Sequence, residues 1–220
     1  MTVTFSKGEE AKKRVYDAAL ALFFEQGYDA TTMRQIVQRS GVLNGSVYHA
    51  YKNKDAIFEL VFNDVMDKLF ENFRPMELDV LTYSVVPLGY ELKFAFDGGV
   101  NADLLYHANR SWVIFNNLVD RMVEYVFHYA DAKGWPFSKD RVRRGVVTVL
   151  GATRALIDEY VCADSEMPLR EAVKQIATFC SVMFLVPTAD IDGVVENVMD
   201  IIEDRGERFS AIDFGYSPKE

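Results

Sequence analysis

Residues 44–54 read NGSVYHAYKNK, a run of small polar, aromatic and basic side chains without a carboxylate. That mixture suits nucleic acid: small polar groups reach base edges while cations and aromatic hydroxyls hold phosphate oxygens. Gly45 allows close backbone approach, and Tyr48, His49 and Lys54 can reach phosphate. Thr32 stands at an expected helix start, where its hydroxyl and backbone N–H can serve another phosphate. Arg34, Asn44 and Ser46 complete the polar set. Leu43 is the one apolar candidate: either Asn44 takes over the helix cap, or the leucine makes an apolar contact such as with a thymine methyl. The bland readings are a solvated His49 and arginines, Arg34 and Arg39, that only wet an outer helix face. Tyr51 is read as core.

Other chemistries find little support. Asp103/His107 and Glu124/His128 each have i, i+4 spacing, which makes half a metal site, but exposed carboxylate–imidazole pairs are far commoner. No GxSxG, HExxH, P-loop or dinucleotide glycine pattern occurs. No catalytic residue, metal or cofactor is therefore expected. Cys162 and Cys180 have neither CxxC spacing nor neighbouring histidines, and both are read as small buried residues of a reducing compartment.

The elements that would hold the polar run are helical. Val15, Ala18, Ala19, Leu22 and Phe23 fall on one helical face that Gly27 ends. Short helices are expected at about 32–39 and 44–49, broken at Ser40-Gly41, and Asn53 is a cap candidate for a long helix that stops before Pro75. Two short helices joined by a tight glycine turn behind a longer one describe a helix-turn-helix. Residues 75–99 are punctuated by proline and glycine, and 81–86 is read as helix or loop. Helices follow at 101–133 (with a break near Arg110-Ser111), 138–161 with Ser138 as cap, 168–186 ended by Pro187, and from Asp190 onward. The fold class is all-α: residues 1–56 as helix-turn-helix domain, helix 57–74 as connector, 75–205 as a larger helical domain and 206–220 as a flexible tail.

Charge sharpens this division. The 220 residues sum to −9, which on its face argues against phosphate partners. Residues 1–56 carry eight bases and six acids, so the excess acid belongs to the remainder. Residues 31–54 contain four bases, His49 and no acid. The N-terminus is charged where a secretion signal needs an apolar stretch, and no apolar run reaches membrane-span length, so a soluble, cytoplasmic protein with no membrane partner is expected.

Residues 15–58 resemble the DNA-binding region of the TetR family of bacterial transcriptional repressors, through Ala18-Ala19, Leu22-Phe23, Gly27-Tyr28, Thr31-Thr32, Ile36, Gly41-Val42, Gly45, Val47-Tyr48, Tyr51, Lys54 and Ile57. Leu43 departs from the Ser or Thr usual there, Val37 from alanine, Ala50 from an aromatic or histidine and Tyr51 from phenylalanine. The resemblance implies a homodimer that binds a double-stranded operator and is released by a small-molecule effector held in the C-terminal domain. It also implies that Tyr48 turns its hydroxyl to phosphate. Phe94, Trp112, Phe115, Asn116 and Arg154 are the effector-contact candidates, each equally able to fill a core. Helices 138–161 and 168–186, with Gly145, Gly151, Ala152, Ala155, Ala172 and Ala177, are the candidates for a four-helix dimer interface. A helical small-molecule-binding or interaction protein that has lost specific DNA binding is the alternative.

Overall fold

The computed structural model describes residues 7–163, 166–184, 186 and 190–206, which form ten α-helices and no strand. The expected stop at Pro187 and the residues after 206 lie outside this set. No helix among the described residues is long and apolar enough to cross a membrane.

The first helix, α1 (Lys7–Ala30), buries Val15, Ala19 and Phe23, as its periodicity requires. Gly27 interrupts it at φ 84°, and three more residues continue beyond the kink. Helices α2 (Met33–Ser40) and α3 (Asn44–Ala50) follow, each anchored by one fully buried residue, Ile36 and Val47. The connector, α4 (Lys54–Phe73), starts inside the unit read as 1–56 and buries Ile57, Val61, Val65 and Leu69 on one side. Asn53 caps it, accepting the Ala56 N–H at 3.0 Å.

Helix α5 (Val80–Phe96) is the centre of the larger domain. Every residue from Val80 to Tyr90 is buried, against α9 (Leu169–Met183), α10 (Ile191–Gly206), α8 (Lys139–Cys162) and α6 (Gly99–Ala108). A helix apolar on all sides shows no 3.6-residue alternation, which is why residues 81–86 gave no clear signal. Pro87 sits inside it and removes the N–H that would bond the Tyr83 carbonyl. Helix α7 (Trp112–Ala132) begins at Ser111, whose hydroxyl accepts the Ile114 N–H at 3.2 Å, placing the break near Arg110-Ser111 where it was expected. Ser138 caps α8, while Pro168 lies just before α9 rather than in its first turn. Cys180 is buried but Cys162 is exposed, contrary to expectation: it is the last residue of α8, beyond the packed stretch that ends with Ile157.

Where α1 meets α6 the fit is tight. A Cβ on Gly27 would stand 2.5 Å from Asp103 Oδ2, the atom that accepts the Tyr28 N–H. Gly27→Ala therefore meets both a positive φ and a carboxylate already in use. The expected cost is about 1–3 kcal/mol, read by chemical denaturation, with unchanged stability as the contradicting result.

Candidate nucleic-acid interface

The helix-turn-helix is fixed from within its own backbone. Thr32 and Gln35 form a reciprocal capping box: Thr32 Oγ1 accepts the Gln35 N–H at 3.3 Å, and Gln35 Oε1 accepts the Thr32 N–H at 2.8 Å. Gly41 closes α2 in the left-handed conformation, φ 60°, and Arg14 reaches over the turn to donate to the Ser40 carbonyl at 2.5 Å. Ile36 and Val47 point into one core with Val15, Ala19 and Phe23. Thr32, Arg34 and α3 thereby share an outward surface.

On that surface Leu43, Asn44, Gly45, Ser46, Tyr48 and His49 are all exposed, Leu43 to 82 % and Tyr48 to 50 %. Leu43 holds the cap position without a side-chain cap bond, and Asn44 is the first residue of the helix. Arg34 makes no ion pair among the described residues, whereas Arg39 is bound to Glu25. Lys52, not singled out from sequence, is also exposed beside this face.

Gly45 is informative because no described residue packs where its side chain would stand. A Cβ built there meets no atom within 4 Å. Glycine in a helix is less favourable than alanine, by up to about 1 kcal/mol in a helix interior, and no described residue's packing offsets that here.

Lys54 behaves differently. Its ammonium donates to the Tyr28 carbonyl at 2.8 Å and lies 3.8 Å from the centre of the Tyr28 ring. It thus fastens the start of α4 to the end of α1 while two N–H groups stay available. Tyr28 also donates its hydroxyl to Asp55. The His107 ring packs 4.3 Å from that of Tyr28, and His107 Nε2 lies 3.2 Å from Asp29 Oδ1 and 3.5 Å from Asp103 Oδ1. Asp29, Asp103 and His107 form the group of metal-ligating side chains found together among the described residues. Glu124 pairs instead with Lys139. Asp29 is mostly in solvent and His107 Nε2 has no hydrogen-bond partner among the described residues, so the Tyr28 N–H held by Asp103 is the hydrogen bond of this group that ties α1 to α6.

Behind the interface a cavity of about 80 Å³ opens between α1, α4, α5, α6, α7 and α8. Its wall is apolar, with Phe23, Phe58, Phe62 and Phe94, and carries one ionisable carboxyl, Glu91. Phe94 alone of the five effector candidates lines it. Trp112 is 72 % exposed and stacks with Phe115, Asn116 donates to the Trp112 carbonyl, and Arg154 lies by Asp158. Desolvation lifts the Glu91 carboxyl from 4.5 to about 7. Sequence periodicity could mark Glu91 as a charge within an apolar stretch, but not that it faces a void.

A carboxyl with a raised pKa binds its proton more tightly in the folded state. Its contribution is therefore fully present below about 4.5 and is lost as pH rises through about 7. Glu91→Gln should show a stability advantage over the parent that grows by about 2–3 kcal/mol between pH 4 and pH 8 in urea titrations. A pH-independent difference would contradict the burial.

Comparison with known proteins agrees with this geometry. Residues 15–61 match the family described as bacterial regulatory proteins, tetR family. The HTH-type transcriptional repressor KstR2 of Mycolicibacterium smegmatis is 34 % identical over 79 residues, covering 36 % of this chain and 38 % of that one. The match spans only about a third of the length of the first curated relatives. The HTH-type transcriptional regulator AcrR of Shigella flexneri is 24 % identical across 84 % of this chain and 94 % of its own. The crystal structure of native TylP, a TetR regulator from Streptomyces fradiae, superposes with a TM-score of 0.56 at 17 % identity, covering 93 % of this chain and 94 % of that one. At that identity the likeness is one of fold.

Proposed function

The chain is a TetR-family protein, and from that premise we propose that it is a dimeric DNA-binding transcriptional repressor released from its operator by a small molecule. The observation that carries the reading is the outward face of Thr32, Arg34 and α3, free of acids and built around a Gly45 that internal packing does not require. In this reading α3 enters a major groove, Arg34, Tyr48 and Lys54 hold phosphates, and Leu43, Asn44, Ser46 and His49 stand nearest the bases.

Dimerisation would use the outer faces of α8 and α9. Val147, Phe179 and Val182 are exposed there, and Gly151 and Ala155 lie on the same side of α8 as Val147. The other small residues turn inward: Ala172 and Ala177 are buried, and Gly145 packs against Phe184. The effector would occupy the cavity, whose walls include α1 and α4, the helices that carry the interface. A molecule that fits one arrangement of those helices better than another shifts their equilibrium by that difference in affinity.

Binding is tested by oligonucleotide selection followed by gel-shift titration. Gly45→Ala should stabilise the fold by about 0.5–1 kcal/mol while weakening operator binding at least about tenfold. Arg34→Ala should reduce the slope of log affinity against log salt by about one. Unchanged affinity in Gly45→Ala, or no selected sequence at all, would overturn the reading. For the dimer, Phe179→Glu combined with Val182→Glu should yield monomers in sedimentation velocity, and a monomeric parent protein would contradict that interface.

A further inference from the structure

We infer that the cavity selects compact apolar amines, with Glu91 as the seat of the ammonium group. This deepens the effector reading above and rests on it in taking the cavity as the place where a small molecule binds.

Glu91 makes no hydrogen bond and no ion pair with any described residue, although it lines a cavity whose other walls are Phe, Leu, Val, Met, Pro and Tyr side chains. A carboxyl in such a place weakens the fold, and no described residue compensates it. The uncompensated group has a use if a ligand supplies its partner. An ammonium does so most completely, because it offers opposite charge and several N–H donors in a medium of low dielectric.

The rest of the wall favours the same ligand. Phe23 and Phe58 meet edge to face with centroids 5.2 Å apart, and Phe62 and Phe94 add further rings. Aromatic faces stabilise a cation as well as the hydrocarbon attached to it. Met66 and Met122 are the adaptable parts of the wall, able to make room for a ring or short chain larger than the resting void. The net charge of −9 also draws cations toward the molecule. A carboxylate ligand meets the opposite situation, since it requires Glu91 to hold its proton.

The test uses the full chain, titrated calorimetrically with 2-phenylethylamine, 2-phenylethanol and phenylacetate, three ligands of similar shape. N-phenyl-1-naphthylamine fluorescence reports whether the cavity takes up an apolar body at all. At pH 8 the amine should bind at least about tenfold more tightly than the alcohol or the acid, in proportion to one buried charge pair. Its affinity should fall toward pH 6 as Glu91 takes up its proton. In Glu91→Gln the amine and alcohol should come within about twofold of each other, while the naphthyl probe still binds. Equal binding of the three ligands by the parent protein, or selectivity that survives Glu91→Gln, overturns the proposal while the cavity stays a binding site. Failure of the naphthyl probe and all three ligands overturns both the proposal and the effector reading. Selective amine binding that leaves the gel shift unchanged sustains the ligand class and removes only the repressor-release mechanism.

Discussion

The arrangement of this molecule depends on the contacts of one residue, Tyr28, at the end of α1. Its N–H is held by Asp103 of α6, its carbonyl accepts from Lys54 of α4, and its ring packs against both Lys54 and His107. Three helices are thereby joined at a point where α1 leaves helical geometry at Gly27. The positions of α2 and α3 follow, because both rest on α1 through Ile36 and Val47. Movement of α6 cannot leave Asp103 and Tyr28 in place without carrying the end of α1 with it. In the proposed reading, the polar junction is the route by which the larger domain would act on α3.

The cavity addresses the same helices from their apolar side. Phe23 and Phe24 of α1 and Phe58, Phe62 and Phe70 of α4 form part of its wall, opposite Leu88, Glu91 and Phe94 of α5. Under the proposed function, filling that space would change how closely α1 and α4 approach α5, because close-packed interiors shift whole elements rather than compress. One side of this pair is held by hydrogen bonds and the other by packing. Both converge on the α1–α4 pair, so under the proposed function a ligand would act on α3 without touching it.

The sequence disclosed the helix-turn-helix more fully than the cavity, for physical reasons. A surface helix of two turns announces itself through local signals, and Thr32, Gly41, Val47 and Asn53 each perform in the structure the capping, turning or anchoring role their type suggests. The absence of acid between residues 31 and 54 is likewise a local property. A cavity is not local. It arises from six helices, and an aromatic at helical spacing looks the same whether it faces a void or a neighbour. Phe94 was legible as a candidate, but Trp112 and Arg154 were equally so and lie elsewhere. Glu91 was missed because one acid in an apolar helix resembles a solvated position until its neighbours are known. Helix α5 was obscured for the related reason that burial on every side erases the alternation on which periodicity depends.

The decisive measurement is a hydroxyl-radical footprint on an operator obtained by selection. Two copies presenting α3 from one outward face each should protect two patches about one helical turn apart, on the backbone flanking successive major grooves. Protection should fade steeply with salt, as phosphate contacts require. An unprotected duplex at low salt, or a single continuous patch without that spacing, would contradict the assignment of α3 as the DNA-reading element.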